Sequence, residues 1–456
     1  MAEVVRIGAF FDGTGGHKEN DEKIGDGALT NIPKLHELYR QNGFIPLYES
    51  GVGTREYKDG KTLTDEQAKA IREGSASRID YYDGKDLAFG GTAKEISDSM
   101  MRQIDEQIAD VKKANPNAQI VVDVYGFSRG AAISRDFINS FNEKYKNDKN
   151  IGVDFVGLYD TVASVGTKDD LYNGGLNLDL GKDSANKIVQ FTAQDEYRFN
   201  FPLHSLTDKY GKLASNMEQI SLYGAHADVG GGYADKYLDD IIKKHGTIFY
   251  GNYIDKDNKI EALCKTAEEK GYERVITSQN DSLKMVTYQC TQKEEKTNEL
   301  GKVGLHAMYQ KALQHGITFK DTTVLEKYPL PEKFQDYTNA IVKGEDISKY
   351  KEVVKPYISQ SGRSFSVKDG SVKEDSLLIT LVNMARDKRE VFANDPGKAV
   401  SKESGQMAQL NDKSVDSAEK TAVNKNWENA VKGLKEFQNR QPEIKKDYGI
   451  ERMIGR

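Results

Sequence analysis

Residues 126–130, Gly-Phe-Ser-Arg-Gly, form the segment of this chain best suited to nucleophilic chemistry. Two glycines that flank a serine allow a sharp turn between a strand and a helix, and this turn exposes the serine hydroxyl. The spacing is only moderately specific by itself, because an ordinary strand-to-helix turn can also contain serine. An apolar run at 120–125 precedes it, and the small residues Ala131 and Ala132 follow it. This setting predicts Ser128 as a nucleophile.

A serine nucleophile requires a base and an acid that orients the base. In α/β hydrolases these residues follow the serine in the order acid, then histidine, and each comes after a strand. Asp160 follows the apolar run 153–159, and His226 follows the apolar run 220–223. We therefore expect Ser128, Asp160 and His226 to form a catalytic triad.

Asp228 is a rival candidate for the acid, since it lies close to His226 in the sequence. Its alternative role is to cap or brace the glycine-rich turn at 230–232. Chain order and the position after a strand favour Asp160 over Asp228.

Negative charge that develops on a substrate carbonyl requires two backbone N–H donors. The N–H of Arg129, directly after the nucleophile, is the first candidate. The second is expected from the loop after the first strand, where Gly13 and Thr14 follow Asp12. Asp12 itself is expected to brace this turn or to help hold a cation. A plain glycine-rich turn is the alternative for the whole loop.

Apolar runs alternate with stretches of helical spacing along the first two thirds of the chain, which is typical of an α/β fold. We expect an α/β-hydrolase-like, mostly parallel sheet with helices on both faces. Residues 15–30 and 51–91 are rich in Gly, Asp and Lys; the first segment is predicted to be a loop and the second a long surface excursion. The predicted strands are 4–11, 120–125, 153–159 and 220–223, and the predicted helices are 31–39, 92–113, 131–145 and 305–313.

The composition changes beyond about residue 320, where Pro329 and Pro331 mark a break. Residues 340–456 are rich in Lys, Glu and Asp, and helical spacing recurs at 376–392 and 417–438. We therefore divide the chain into a catalytic domain with insertions, 1–320, and a mainly helical C-terminal appendage, 321–456. Contact of this second region with substrate or with a membrane is a hypothesis.

Composition argues against several classes of protein. A formal net charge of -6 over 456 residues does not suit nucleic acid as a partner, because phosphate binding needs a basic face. Two cysteines, Cys264 and Cys290, are too few for a disulfide framework and suggest folding in a reducing compartment. The N-terminus lacks the pattern of a Sec signal, and no apolar run is long enough to span a membrane.

Metal and phosphate motifs are also absent from the sequence. No Cys/His spacing suggests zinc, and Asp-Lys-Asp-Asn at 255–258 lacks the glycine and glutamate of a calcium loop. The glycines at 13, 15 and 16 and at 230–232 are not followed by the Gly-Lys-Ser/Thr of a phosphate-binding loop. We predict no metal site and no required cofactor; calcium stays possible, but no motif supports it.

Four segments, in their order along the chain, are similar to those of one known family. They are Phe-Phe-Asp-Gly-Thr-Gly at 10–15, Gly-Phe-Ser-Arg-Gly-Ala at 126–131, Gly-Leu-Tyr-Asp-Thr-Val-Ala-Ser-Val-Gly at 157–166 and Gly-Ala-His-Ala-Asp-Val-Gly-Gly-Gly-Tyr at 224–233. Together they resemble the type VI secretion lipase effectors of family one, which are phospholipase-like α/β hydrolases. Asp-Glu-Tyr-Arg-Phe at 195–199 also fits the family's stretch between acid and histidine. The family usually has serine where Ala227 stands and often asparagine near Gly15 and Gly16, and neither departure removes a catalytic group.

The resemblance implies that Ser128, Asp160 and His226 form the triad and that the reaction is phospholipase A-like hydrolysis of lipid esters. It also implies a toxin made in the bacterial cytoplasm without a Sec signal and delivered by a type VI system into the periplasm of a target cell. The implied partners are a phospholipid membrane, a secretion spike protein or adaptor and a cognate immunity protein. The alternatives are an esterase of the same fold acting on other esters, and a non-enzymatic cargo or adaptor of a secretion spike.

Overall fold

A parallel sheet lies at the centre of the protein. The computed structural model describes residues 4–54, 62–76, 78–83, 86–87, 90–165, 173–198, 201–249, 253–269, 274–280, 285–360 and 389–396. The sheet has the strand order β2-β1-β3-β4-β5-β7, and every pair in it is parallel. The first strands are β1 Val4–Phe11, β2 Ile45–Glu49, β3 Gln119–Phe127, β4 Ile151–Tyr159, β5 Lys187–Ala193, the two-residue β6 Leu203–His204 and β7 Met217–Leu222.

Both faces of this sheet are covered by helices, because successive side chains of a strand point to opposite faces. On one face, Ile7 and Phe11 of β1 join a core with the helices 93–114 and 129–145. On the other face, Phe10 joins a core with the helices 31–41 and 299–315. The predicted mostly parallel sheet with helices on both faces is thereby confirmed.

The helices follow from apolar spacing and from capping residues. Ile96, Met100, Ile104 and Ile108 recur at every fourth position of α4 and are buried. The helices are α1 Lys18–Ile24, α2 Asn31–Gln41, α3 Asp65–Arg72, α4 Ala93–Ala114, α5 Arg129–Tyr145, α6 His226–Gly230, α7 Tyr253–Glu269, α8 Glu299–His315, α9 Thr323–Glu326, α10 Gln335–Lys343 and α11 Lys351–Val354. Short 3-10 turns lie at Arg78–Tyr81, Glu332–Phe334, Ser348–Tyr350 and Lys355–Tyr357.

The segment 15–30 was predicted to be a loop but contains a helix, so that prediction is wrong in part, and the segment 51–91 also contains a helix that was not predicted. Helix α1 lies within 15–30, where the His17 side chain accepts a hydrogen bond from the N–H of Asn20 and Gly25 ends the helix with a φ of 67°. Helix α3 lies within 51–91 and begins with a reciprocal capping box between Thr64 and Gln67. Polar composition concealed both helices, because capping and tertiary packing stabilise them despite few apolar residues.

A second, antiparallel sheet lies between His226 and α8 in the sequence. Its strands are β8 Lys236–Phe249, β9 Arg274–Asn280 and β10 Met285–Thr297, in the order β8-β10-β9. The sequence analysis did not predict this sheet.

The described part of the C-terminal region packs on the main core. Phe334, Tyr337, Ile341 and Val354 are fully buried in the same cluster as Phe10. The division into 1–320 and 321–456 stays a prediction, since most of 361–456 lies outside the described residues.

Two helices were predicted beyond residue 360. The described end of the predicted helix 376–392 is instead a strand, β11 Val391–Phe392, because its backbone pairs in parallel with β6. The predicted helix 417–438 lies outside the described residues.

Candidate active site

Ser128 occupies the sharp turn between β3 and α5. Its backbone has φ 57° and ψ −127°, a conformation that non-glycine residues adopt only where the surroundings enforce it. Two backbone hydrogen bonds enforce it here. The Ser128 N–H donates to the Tyr159 carbonyl at 3.0 Å, and the Val162 N–H donates to the Ser128 carbonyl at 3.3 Å. The strained turn is the arrangement expected for a nucleophile elbow.

The two glycines of the elbow permit close backbone contacts. A Cβ atom at Gly126 would lie 2.3 Å from the Ser134 Oγ, and one at Gly130 would lie 2.3 Å from the Asp12 carbonyl oxygen. Any larger residue at Gly130 would therefore push the end of β1 away from the start of α5. These contacts explain the Gly-x-Ser-x-Gly spacing in physical terms.

Asp160 and His226 form a buried pair after β4 and at the start of α6. The His226 Nδ1 lies 2.6 Å from Asp160 Oδ2. The other carboxylate oxygen, Oδ1, accepts a 2.9 Å hydrogen bond from the Ala193 N–H. Asp160 is fully buried and His226 is 5% exposed, so this hydrogen-bonded pair is shielded from solvent. With Nδ1 directed at the acid, Nε2 is the nitrogen that remains to act as base.

Arg389 is a site residue that the sequence analysis missed. Its Nη1 donates to Asp160 Oδ1 at 2.7 Å, and its Nη2 donates to Asp160 Oδ2 at 2.8 Å. The residue lies in a charged stretch, 376–392, that we predicted to be helical, and no local motif distinguishes it. The contact with Asp160 can be recognised only in the three-dimensional structure.

The charges around this pair set its protonation. Burial alone would raise the pKa of Asp160, but the positive charge of Arg389 and the hydrogen bond with His226 hold it well below its usual range. Burial lowers the pKa of His226, and the opposing effect of Asp160 does not restore it. Within the described residues, the buried Nε2 of His226 has no hydrogen-bond partner. The imidazole is therefore neutral at neutral pH, with one nitrogen free to accept a proton.

Glu196 and Arg198 form a second ion pair beside His226. The His226 N–H donates to Glu196 Oε2 at 3.3 Å, and Arg198 donates to both oxygens of Glu196, at 2.9 and 2.8 Å. Burial would raise the pKa of Glu196, but the Arg198 charge brings it to about 2. The ring of Phe201 packs edge-on against the His226 ring, with centroids 5.0 Å apart. These contacts fix the start of α6, and with it the imidazole.

The loop after β1 lies against the start of α5. The Arg129 side chain donates from Nε to the Thr14 Oγ1 at 2.6 Å and from Nη2 to the Leu87 carbonyl. The N–H of Gly13 donates to Asp12 Oδ1 at 2.7 Å. The backbone N–H groups of Thr14 and Arg129 therefore stay the candidate donors for an oxyanion.

Asp12 braces this loop from within. Besides the Gly13 N–H, its carboxylate accepts hydrogen bonds from Thr30 Oγ1 at 2.5 Å and from the Tyr48 hydroxyl at 2.7 Å. Burial raises the pKa of Asp12. The carboxylate thus accepts three hydrogen bonds from within the protein, and a bracing role for Asp12 is consistent with them.

The hydrogen-bond partners of the Asp228 carboxylate are Ala225 and Ser359, whereas the His226 imidazole is bonded to Asp160. Its Oδ2 accepts from the Ala225 N–H at 2.9 Å and from the Ser359 N–H at 2.8 Å, and its Oδ1 accepts from the Ser359 hydroxyl at 2.6 Å. Burial raises the pKa of Asp228 to about 7. The carboxylate therefore caps α6 and ties it to residue 359, which is the bracing alternative considered for it.

Phe127 links the two glycine-rich turns. A Cβ at Gly13 would lie 2.6 Å from the Phe127 ring, and one at Gly230 would lie 2.2 Å from it. The Phe127 ring also lies against that of His226, with centroids 4.5 Å apart. The glycines that could suggest phosphate loops thus make room for this ring.

Within the described part of the chain, no group of three or more His, Cys, Asp or Glu side chains is arranged to hold a metal ion. Among the same residues, no helix combines the length and apolarity needed to cross a membrane.

The parallel sheet and the serine elbow define an α/β-hydrolase-like protein. Residues 137–245 match the family model described as "T6SS, Phospholipase effector Tle1-like, catalytic domain". This segment contains Asp160 and His226 and begins shortly after Ser128. The match supports a phospholipase effector of type VI secretion, and the resemblance inferred from the motifs is confirmed.

One solved structure supports the fold. The Tle1 effector bound to the VgrG spike of the type VI secretion system is 19% identical, with a TM-score of 0.50, over 86% of this chain and 94% of that one. An uncharacterized protein from Pseudomonas aeruginosa is 18% identical, with a TM-score of 0.41, over 78% of this chain and 52% of that one. No curated protein matches the sequence.

Proposed function

We propose that this protein is a serine lipid-ester hydrolase of the phospholipase A type, with Ser128, Asp160 and His226 as its catalytic triad. The observation that carries the proposal is the buried 2.6 Å contact between Asp160 and His226 Nδ1, which leaves the Nε2 of a neutral imidazole free. The strained elbow at Ser128, whose N–H donates to the carbonyl of Tyr159 directly before Asp160, is difficult to explain by packing alone.

The reaction follows from these positions. The His226 Nε2 removes the proton from the Ser128 hydroxyl as its oxygen attacks the ester carbonyl. The N–H groups of Arg129 and Thr14 stabilise the oxyanion of the tetrahedral intermediate. Protonated His226 then gives its proton to the leaving alcohol, and an acyl-enzyme remains on Ser128. Water, activated by His226, releases the fatty acid and restores the serine.

The phospholipid substrate and the delivery route are supported by the family match. The matching family comprises phospholipase effectors of type VI secretion. The similar Tle1 effector is bound to the VgrG spike in its solved structure. By analogy, we propose a spike protein or adaptor as a partner, the periplasm of a target cell as the site of action and a cognate immunity protein in the producing cell.

Phospholipid vesicles with defined acyl chains provide the direct test. Wild-type protein should release fatty acid, with and without calcium, and Ser128→Ala should reduce the rate by about 10³-fold or more. Asn139→Ala on α5 is a control, because the Asn139 side chain donates to the backbone carbonyls of Asn177 and Asp179 and not to a residue of the proposed triad. Equal rates for Ser128→Ala and wild type would refute the triad.

Two other outcomes separate the alternatives. Hydrolysis of short soluble esters without any release from vesicles would favour an esterase of the same fold. Absence of hydrolysis by folded wild-type protein on every ester, together with retained binding to a spike protein, would favour a non-enzymatic cargo or adaptor.

A further inference from the structure

The triad acid receives a cation from the far end of the described chain. Arg389 clasps both oxygens of Asp160, at 2.7 and 2.8 Å, and its Nε donates to the Phe201 carbonyl at 2.6 Å. Its side chain is 9% exposed. Two parallel N–H donors on one carboxylate fix the carboxylate plane as well as supplying charge.

Residues 389–396, here called the strap, are held on the catalytic core by their own backbone. Val391 and Phe392 pair with β6, and the Leu203 N–H donates to the Glu390 carbonyl at 2.8 Å. The Asn394 side chain exchanges hydrogen bonds with both backbone groups of Leu180, at 2.8 and 2.7 Å. These contacts hold the backbone next to Arg389 in place independently of its ion pair with Asp160. The position of the guanidinium therefore does not depend on that ion pair alone.

The guanidinium has an electrical effect on the base. An unopposed carboxylate stabilises the protonated imidazole beside it, and a second cation on that carboxylate weakens this stabilisation. The charged groups that act on His226 directly are Asp160, just after β4, and Glu196 and Arg198 from the segment after β5. Asp228 on α6 is turned toward Ser359. Arg389 acts through Asp160, because its guanidinium offsets part of the negative charge that this carboxylate presents to the imidazole.

We propose that Arg389 is a positioning residue, which holds the Asp160 carboxylate in the orientation that His226 requires and limits how strongly that carboxylate favours protonated His226. The inference rests on the proposed function, since it assigns Arg389 a role in the same triad. It makes the strap part of the active site through Arg389.

Three substitutions of Arg389 separate the effect of its charge from its effect on the position of the Asp160 carboxylate. Arg389→Gln removes the charge, so protonated His226 should persist to higher pH, and the acid limb of kcat/KM should move up by about one pH unit. Arg389→Lys keeps a charge without the fork, so the limb should stay while kcat falls by about tenfold to 100-fold through misplacement of the pair. Arg389→Ala should show both effects, and added guanidinium at low concentration should partly reverse them.

The shift in the protonation of His226 should also be measurable at the imidazole directly. Nuclear magnetic resonance of ¹⁵N-labelled imidazoles, with His226→Gln for assignment, should show a higher titration midpoint for His226 in Arg389→Gln than in wild type. Arg40→Ala is the matched control, because it removes one exposed charge from α2 and should leave His226 unchanged. Thermal unfolding shows which variants are folded, and Arg389→Lys stands in for the others if they are not.

Identical His226 titrations and pH profiles in wild type and Arg389→Gln would overturn the proposal. The same holds if Arg389→Lys keeps the full kcat while Arg389→Gln merely unfolds, since Arg389 would then be structural. A folded wild type that hydrolyses no ester would instead refute the proposed function, and the titration of His226 would still decide whether Arg389 controls its protonation.

Discussion

At the scale of single residues, Asp160 and Asp228 are two buried carboxylates near one histidine with different partners. We expect Asp160→Asn to reduce kcat by about 10³- to 10⁴-fold, because an amide cannot hold His226 in the tautomer that leaves Nε2 free. Asp228→Asn should reduce the free energy of unfolding by about 1–3 kcal/mol, since one of its three donors loses its acceptor, with little change in kcat. Steady-state kinetics and thermal unfolding of both variants test this. A larger kcat loss for Asp228→Asn would make Asp228 the acid.

The pH dependence of the reaction is also decided at one residue. Burial lowers the pKa of His226 below the value of about 6.5 that is usual for histidine, so the neutral base form persists to lower pH than for an exposed histidine. The acid limb of kcat/KM on a soluble ester should therefore have its midpoint below about 6.5. Measurement between pH 4 and 8, with protein shown to stay folded throughout, tests the sign. A midpoint at 7 or above would contradict it.

Local sequence identified Ser128, Asp160 and His226 as candidates because chain order and strand ends are properties of neighbouring residues. It also indicated the alternative roles of Asp12 and Asp228. Arg389 and Glu196 were not identified, because their roles depend on contacts across 229 and 30 positions of sequence. Such contacts leave no local pattern unless a family of sequences is compared.

At the scale of elements, the Phe127 ring is confined where β3, the loop after β1 and α6 meet. Gly230→Ala would place a methyl group 2.2 Å from this ring, so the ring must move and disturb the His226 ring behind it. We expect a loss of about 1–3 kcal/mol in the free energy of unfolding and a marked fall in kcat. Denaturant unfolding and vesicle hydrolysis measure the two effects.

A control and a rescue sharpen this prediction. Gly152→Ala in β4 adds a methyl group with nothing within 4 Å, so it should be neutral or slightly stabilising. Adding Phe127→Leu to Gly230→Ala should recover part of the lost stability, because the smaller side chain makes room. Equal effects of Gly152→Ala and Gly230→Ala would show that crowding at Phe127 is not the cause.

Element types were predictable where apolar spacing is strong, as in β1, β3 and α4. Strand β2 was missed, and β5 was missed although it pairs with both β4 and β7. Helix α1 was missed because its residues are mostly polar and its ends are defined by His17 and Gly25. The prediction of a helix at 376–392 was wrong at its end. There the helical spacing is present in the sequence, but pairing with β6 makes residues 391–392 a strand.

At the scale of the whole molecule, the change of composition near residue 320 does not coincide with the edge of the core. Residues 321–360 are polar on average, yet four of their large side chains are fully buried against α2 and α8. The Tyr223 N–H, just before the turn that bears His226, donates to the Tyr337 hydroxyl at 3.0 Å. Composition averaged over a segment conceals a few deeply buried positions, and this is why the sequence alone could not place the end of the core.

A chain that ends after residue 320 should therefore lose much of its stability. Each of the buried residues Phe334, Tyr337, Ile341 and Val354 contributes about 1.5–3 kcal/mol by leaving water, and their sum is comparable with the stability of a typical domain. A chain that ends after residue 360 keeps these residues and the Ser359 contacts with Asp228 but lacks Arg389. We expect the shorter chain to aggregate or to unfold without a cooperative transition, and the longer one to unfold cooperatively with reduced kcat. Calorimetry of both chains beside the full one measures this, and equal melting temperatures for all three would show that residues 321–360 do not complete the core.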